Sequence, residues 1–480
     1  MKPNKPLRTL TAFAGIGYVI TTTMIPRVSE VFIKVGLKGR DMSKKPPVAE
    51  IPESMGIVVA VTYLTLMLAL IPFVFFKYLV NFASMSNDEE VSETYLQQYN
   101  TLSHNHLFPH NKLAEYLSAV LCLQSTTLLG LFDDLFDIRW RDKFFLPSIA
   151  SLPLLIVYYV DFSVTSIVVP SFITESQWGS LLLANVEFLI RWGNIVVSRI
   201  TGLTFSTLAP DYYIKTAIKV PKMLDLGVFY YLYMSAVSIF SPNSINILAG
   251  VNGLEVGQLI VLGIILLLND SCYLFSNSIS QAARDSHLFS ALFIIPFIGV
   301  SLGLLQYNWF PAKVFVGDTY CYFSGMVFAI VGILGHFSKT LMIFLLPQII
   351  NFVYSVPQLF HIVPCPRHRL PKFDVEDGLM YPSYGEVTTT GGSALQRIMF
   401  NTLEVFGLIS LKRDKNGDIT HFSNMTIINL ILVRLGPLRE DALCMVILLL
   451  QLITGISMIA FRHTVGPWLF GYDNLTWGVK

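Results

Sequence analysis

The chain has 480 residues, 53% of them hydrophobic and only 14% charged, with a mean hydropathy of +0.58. Water-soluble domains carry about a quarter charged residues, so this composition belongs to a polytopic membrane protein. The 33 basic and 32 acidic residues leave a net charge of +1, which excludes a nucleic-acid partner because no basic face is available to neutralise phosphates.

The five cysteines (Cys122, Cys272, Cys321, Cys365, Cys444) lie far apart, mostly in apolar stretches, without the paired spacing of a disulfide framework or a zinc site, and read as packing residues. A spanning helix needs about 20 predominantly apolar residues, and about ten stretches qualify. In chain order they are 7–33, 56–76, 113–132, 145–162, 225–247, 257–275, 288–306, 321–338, 340–361 and 442–461. The first lacks a small-residue cleavage site, so it reads as a transmembrane helix that also directs insertion, not as a cleaved signal. The stretch 181–205 is apolar but contains Glu187, Arg191, Asn194 and Arg199, which predicts an amphipathic or interfacial helix.

Lys and Arg in the short loops set the orientation. Lys34, Lys38, Arg40, Lys44 and Lys45 follow the first span; Arg139, Arg141 and Lys143 follow the third; Arg367, Arg369, Lys372, Arg397, Lys412, Arg413 and Lys415 follow the ninth. The second loop instead carries Asp88, Glu89, Glu90 and Glu93. Odd-numbered spans are therefore expected to exit into the cytosol, with both termini opposite. The expected fold is all-α and polytopic, with a site on the cytosolic face. Residues 1–370 form a transmembrane core with a long lumenal insertion at about 163–222, residues 371–441 a cytosolic excursion, and residues 442–480 the last span and a lumenal tail. Connections this long are functional or loosely ordered, and no internal repeat is visible.

Five polar stretches close apolar spans on that one face: Asp41 to Glu53, Asp133 to Lys143, Asn246 to Glu255, Phe315 to Tyr320 and Cys365 to Arg369. Asp318 stands between a glycine and a hydroxyl at the mouth of a span, and an ionisable residue there marks a functional site by default. Asp133, Asp134 and Asp137 fall at i, i+1 and i+4, so the first and last share a helix face. Such acids repel unless a metal or a cation neutralises them, and a solvated helix end is the plain alternative. Arg139, Arg141 and Lys143 follow at once and offer phosphate partners. The Asp-rich run also resembles that of isoprenoid-transferring enzymes, but the second Asp-rich run those enzymes carry is missing.

Asn246 and Asn252 supply amide oxygens suited to Mg2+, next to Gly250 and Gly253, which permit close backbone approach; a helix C-cap with a turn would read the same way. Arg367, His368 and Arg369, held between prolines, are suited to phosphate or sugar oxygens, although a basic loop can also be a topology signal. Asp41, Lys44, Lys45 and Glu53 in a proline-containing loop would ordinarily form a solvated connector.

Taken together, Ile51-Pro-Glu-Ser54, Gly130-Leu-Phe-Asp-Asp134 with Arg139-Trp-Arg141 and Lys143, Asn246-Ile-Leu-Ala-Gly-Val-Asn-Gly-Leu-Glu255, Val314-Phe-Val-Gly-Asp-Thr319, Gly332-Ile-Leu-Gly-His-Phe-Ser-Lys339 and Pro364-Cys-Pro-Arg-His-Arg369 resemble the polyprenyl-phosphate N-acetylhexosamine-1-phosphate transferase superfamily. Within it they are most similar to the eukaryotic, tunicamycin-sensitive branch that acts on dolichyl phosphate. The likeness runs from the first span to about residue 371 and resumes at the last span.

The resemblance implies a multi-pass enzyme of the endoplasmic reticulum membrane. It would move GlcNAc-1-phosphate from UDP-GlcNAc to dolichyl phosphate, releasing UMP, as the first step of lipid-linked oligosaccharide synthesis for N-glycosylation. It implies Mg2+ held by Asp318 and Asn246 and the lipid phosphate held by Lys143. Asp41, Met42, Glu53 and Asn252 would sit at the nucleoside end of UDP-GlcNAc, and Arg367, His368 and Arg369 at its sugar and diphosphate. Asp133 and Asp134 are the acidic pair to which catalysis is ascribed, with Asp137, Arg141 and Glu255 in support. A phosphate oxygen already ionised near neutral pH can react without a base, so positioning and charge neutralisation suffice on physical grounds. A homodimer, and association with the next enzymes of the dolichol pathway, are also expected.

A transporter is the rival from another class, but transporters tend to show paired repeats and broken helices near the bilayer centre. Residues 163–222 are longer than the family connection, and 374–435 match nothing in it. Asn474-Leu-Thr476 fits a glycosylation acceptor if its end is lumenal, whereas Asn424-Met-Thr426 fits the pattern but is expected on the cytosolic side.

Overall fold

The structure, a computed structural model, describes residues 4–46, 48–75, 110–136, 138–162, 164–203, 223–276, 279–366, 369–387, 394–415 and 417–470. Helices form at every predicted span. They are α1 (Asn4–Val35), α2 (Gly56–Val74), α3 (His110–Phe136), the short α4 (Trp140–Lys143), α5 (Leu146–Ala150) and α6 (Leu152–Asp161), α7 (Gln177–Thr201), α8 (Val228–Ile247), α9 (Leu254–Leu274), α10 (Gln281–Asn308), α11 (Gly317–Leu334), α12 (Ser338–Phe344), α13 (Leu346–Leu359), α14 (Ala394–Val405), α15 (Ile427–Leu435) and α16 (Glu440–Phe470).

Among the described residues, eight helices are long and apolar enough to cross a membrane, or nine if α12 and α13 form one span bent by 69°. The departures from ten have local causes. The stretch 145–162 breaks at Ser151 because Pro147 and Pro153 each start a new helix, and a proline cannot donate the backbone bond that would continue the preceding one. Pro347 divides α12 from α13 in the same way. Helix α8 carries buried Ser238, Ser241, Asn243 and Ser244 and is not among the eight.

Most of the stretch expected to be amphipathic, to Thr201, belongs to one continuous 25-residue helix, α7, which is also long and apolar enough to cross a membrane. Glu187 and Arg191 lie one turn apart on it and pair at 2.6 Å, so their charges offset locally. Ser176 caps its start by accepting from the Gly179 backbone, and Gly202 ends it in a left-handed turn.

Helix α11 is the axis of the bundle. Its residues from Thr319 to Leu334 are buried, packed chiefly against α3 and α8 and then against α2 and α10. The aromatic filling is satisfied where it is polar: Tyr63 Oη donates to the Phe293 carbonyl at 3.0 Å and Tyr116 Oη to that of Met67 at 2.7 Å. Phe293, Phe297, Phe323 and Phe328 are fully buried around them. An apolar core cannot supply partners for such hydroxyls, so each must find a carbonyl.

Four small sheets in the connections qualify the all-α expectation. The antiparallel pair β1 (Lys38–Arg40) and β2 (Glu50–Pro52) lies between α1 and α2, and β3 (Ser166–Val168) pairs with β4 (Met223–Asp225) around α7. The excursion beyond residue 371 holds β5 (Lys372–Phe373) with β6 (Met380–Tyr381), and a three-stranded sheet in which β9 (Ile419–Ser423) lies between β7 (Tyr384–Glu386) and β8 (Leu411–Arg413). That sheet and α14 share a small core of Phe400, Ile409, Ile419 and Phe422.

Candidate active site

Four of the five polar stretches meet at one end of the bundle, around the start of α11, and the described end of the fifth packs beside them. The turn before α11 is fastened to the segment before α2: Phe315 N donates to the Pro52 carbonyl at 2.9 Å, and Met55 N to that of Phe315 at 3.0 Å. Gly317 then takes φ +74, and a Cβ there would stand 2.6 Å from Asp134 Oδ2 and 2.7 Å from Ser54 Cα. No other residue fits that corner. One turn before Asp134, Gly130 lets α3 approach within contact of Thr319; a Cβ would lie 2.6 Å from its Cα.

These contacts bring three carboxylates and one ammonium together. Lys143 Nζ stands 2.7 Å from Asp133 Oδ2 and 2.8 Å from Asp318 Oδ2. The Asp133 side chain is 1% exposed and that of Asp318 30%, so the cation is shared between a sealed acid and one open to a ligand. Burial alone would push the Lys143 ammonium down, but the nearby Asp318 and Asp133 outweigh it and hold its pKa above the usual lysine value. Asp133 Oδ1 also accepts from Ile138 N at 3.1 Å, folding the chain back towards α4.

Asp134 faces another way. Its carboxylate accepts the backbone N–H of Asp318 at 2.6 Å, and the N–H and hydroxyl of Thr319 at 3.2 and 2.5 Å. It therefore caps α11, where unpaired N–H groups and the helix dipole favour an anion. Asn246 lies near enough to the Asp318 carboxylate to act on it electrostatically, so the amide expected to share a metal lies beside the carboxylate expected to hold it. Glu53 keeps part of its surface in solvent, yet partial burial and then the charges of Asp134 and Asp318 hold its pKa above the ordinary carboxylate value.

The remaining expected residues fall around this centre. Asn252, at 8% exposure, is bonded to Asp41 and to a residue that the sequence did not single out, Glu440. Glu255 Oε1 accepts from Gly250 N at 2.8 Å and closes the loop before α9. Met42 is 79% exposed. Leu370 packs on Gly250, which sets the basic loop beside the Asn246–Asn252 turn, and the Arg369 carbonyl is tied to Asn429 Nδ2 at 2.8 Å. Arg369 Nη1 is buried without a hydrogen-bond partner, and burial pushes its guanidinium down. Asp137, Arg367 and His368 lie outside the described residues, as does the side chain of Arg141.

Among the described residues no three His, Cys, Asp or Glu side chains are grouped to hold a metal ion unaided. One carboxylate and one amide, Asp318 and Asn246, nevertheless suit Mg2+, which keeps much of its water and takes its other oxygens from substrate phosphates. Thr319 and Lys44 stand in stretches that the sequence singled out without giving those two residues a role, and Glu440 is the contributor that sequence reasoning missed. Its only local mark is the acidic start of α16, Glu440-Asp441, which many helices share.

The chain matches the family model described as glycosyl transferase family 4 over residues 116–336. It is similar to UDP-N-acetylglucosamine--dolichyl-phosphate N-acetylglucosaminephosphotransferases of three organisms. Identity to that of Saccharomyces cerevisiae is 50% over 468 residues, which is 98% of this chain and 93% of that protein. For Schizosaccharomyces pombe it is 44%, covering 98% and 95%, and for Dictyostelium discoideum 37%, covering 90% and 83%.

Proposed function

The chain belongs to the UDP-N-acetylglucosamine--dolichyl-phosphate N-acetylglucosaminephosphotransferase family, and from that premise we propose the residue roles by which it works. It transfers GlcNAc-1-phosphate from UDP-GlcNAc to dolichyl phosphate, giving dolichyl-diphospho-GlcNAc and UMP, and so begins lipid-linked oligosaccharide synthesis. The observation that carries the proposal is Lys143, held between Asp133 and Asp318 with Asn246 alongside.

In this reading Lys143 receives the dolichyl phosphate. Asp318 has surface free for a second cation while Asp133 keeps the lysine in place. An oxygen of the lipid phosphate forms a bond to the β-phosphorus of UDP-GlcNAc, and the bond from that phosphorus to the bridging oxygen breaks, so that UMP leaves with the electron pair. The attacking oxygen is already ionised near neutral pH, and no proton need be removed. Asp133 therefore acts by positioning and charge. Asp134, assigned to the catalytic pair from the sequence, acts through the helix it caps.

Asp318 and Asn246 would hold Mg2+, which when bound neutralises charge on the diphosphate. Asp41, Met42, Glu53 and Asn252 are assigned to the nucleoside end of the donor. Arg367, His368 and Arg369 are assigned to its sugar and diphosphate, where the unpaired Arg369 Nη1 offers a donor. Asp137, Arg141 and Glu255 are assigned supporting roles.

The protein is a multi-pass membrane protein. The basic loops beside the site support a cytosolic-facing site, and the proposal sets it in the endoplasmic reticulum membrane, as a homodimer associating with the next enzymes of the pathway. The test is purified protein with UDP-GlcNAc, dolichyl phosphate and Mg2+. UMP release that needs all three and stops with tunicamycin is the expected result, and release indifferent to the lipid would overturn the reading.

A further inference from the structure

On the side of the site away from Lys143, a second buried charge cluster joins four distant segments. Asn252 donates its backbone N–H to Glu440 Oε1 at 2.8 Å, and its Nδ2 to the same oxygen at 2.6 Å and to Asp41 Oδ2 at 3.2 Å. Its Oδ1 accepts from Ala312 N at 2.7 Å. Lys44 Nζ lies 2.7 Å from Glu440 Oε2 and 3.0 Å from Asp41 Oδ2, over the ring of Phe310 at 4.2 Å. Glu440 is 2% exposed, Asp41 7% and Asn252 8%.

Two buried carboxylates around one lysine are more than helix packing requires. Burying a charge costs several kilocalories unless it is paired and hydrogen-bonded, and an apolar residue would join α16 to its neighbours at less cost. The arrangement does one specific thing: it fixes the Asn252 carboxamide. A carboxylate can only accept, and the Ala312 N–H can only donate, so the amide cannot be flipped. Both Nδ2 hydrogens are used, and the group retains one unused lone pair, on Oδ1.

We propose that Glu440, anchored by Lys44, is a positioning residue for the donor site. It locks Asn252 so that the amide can only accept, and thereby selects a nucleoside that presents an N–H or O–H to it. This rests on the assignment of Asn252 to the nucleoside end. Uracil carries a donor at N3, where cytosine carries an acceptor, and the ribose 2′- and 3′-hydroxyls are the other donors within the nucleoside. In Glu440→Gln the side chain keeps its shape but brings its own N–H groups to the cluster and loses the ion pair with Lys44, leaving the longer bond to Asp41 and the Ala312 N–H to orient Asn252.

The test measures dissociation constants for UDP, CDP and 2′-deoxy-UDP, together with turnover, on purified full-length protein. The wild type is expected to bind UDP about ten-fold or more tightly over whichever analogue lacks the donor, the scale of one hydrogen bond to a buried polar group. Loss with CDP alone assigns the contact to the base, and loss with 2′-deoxy-UDP or 3′-deoxy-UDP, measured alongside, assigns it to that hydroxyl of the sugar. Glu440→Gln is expected to erase that preference and to raise KM for UDP-GlcNAc about ten-fold, with kcat and KM for dolichyl phosphate within about two-fold.

Lys44→Met should shift the same constants in the same direction and serves if Glu440→Gln does not fold. Unchanged discrimination in both variants, or an equal fall in all constants with a lowered unfolding temperature, overturns the proposal. Asn252→Ala separates the two levels. If it weakens UDP while the Glu440 and Lys44 variants do not, only this inference fails; if it leaves UDP binding intact, the assignment of Asn252 fails with it.

Discussion

Asp134 accepts the backbone N–H of Asp318 at 2.6 Å, so one of two adjacent acids is spent on holding the helix that presents Asp318, the proposed metal ligand. Asp133, its neighbour, holds Lys143 instead. Removing the two acids should therefore have different signatures. Asp134→Ala is expected to lower stability by about 1–2 kcal/mol, as loss of a helix cap does, and turnover with it. Asp133→Ala should lower turnover more than stability, because Asp318 still partners the lysine. Thermal unfolding in detergent alongside UMP release distinguishes them, and an Asp134 variant of normal stability but no activity would return that residue to the chemistry.

Lys143→Met should raise KM for dolichyl phosphate by about ten-fold or more, the range of a lost charged hydrogen bond, and change KM for UDP-GlcNAc much less. The neighbouring carboxylates hold the folded pKa above the unfolded value of 10.5. The stabilisation from the charged lysine is thus fully present below pH 10.5 and is lost only as pH rises through the higher folded value. Steady-state kinetics against pH should show no alkaline limb assignable to Lys143 near neutrality; such a limb, absent in the methionine variant, would contradict the shift.

Glu53 behaves in the opposite sense. Its folded pKa lies above 4.5, chiefly through partial burial and then through Asp134 and Asp318. A raised carboxyl binds its proton more tightly when folded, so it costs stability as pH rises through 4.5, and the cost levels off above the folded value. Glu53→Gln should accordingly unfold at a slightly higher temperature than the wild type at pH 7. The difference should close below pH 4.5, and UDP-GlcNAc binding should weaken. Equal midpoints at both pH values would remove Glu53 from the charge cluster.

Asp318→Ala and Asn246→Ala should each reduce Mg2+-dependent UMP release by about two orders of magnitude or more, since a metal at a diphosphate supplies several kcal/mol. They should also abolish the gain in UDP affinity that Mg2+ confers, which can be followed by calorimetry without turnover. A variant in which Mg2+ still tightens UDP normally would place the ion elsewhere.

The sequence singled out the residues that cluster better than it foresaw their wiring. Asp318, Asn246, Lys143 and Asp133 were legible because each is a polar residue ending an apolar span, an expensive place for a charge. The division of labour between Asp133 and Asp134 was not, because helical spacing says that two side chains diverge but not which N–H or ammonium awaits each one. Glu440 was hidden by distance: its partner Lys44 lies 396 positions earlier, and nothing local distinguishes it from an ordinary acidic residue in a first helical turn. Span counting placed the helices correctly and erred on continuity at Pro147, Pro153 and Pro347. The sheets beyond residue 371 escaped because strands of two to five residues leave too short an alternation to read.

The lock on Asn252 is made by the first residue of α16, a helix that starts only after residue 439. During synthesis the sugar-nucleotide half of the pocket must therefore wait for nearly the whole polypeptide to emerge, while the acidic half, complete by Asp318, is ready far sooner. A premature stop between Asp318 and Glu440 would leave a chain that carries every acid around Lys143 yet lacks the residue proposed to set its grip on the donor. Such truncations should fail as enzymes even where they insert and persist in the bilayer.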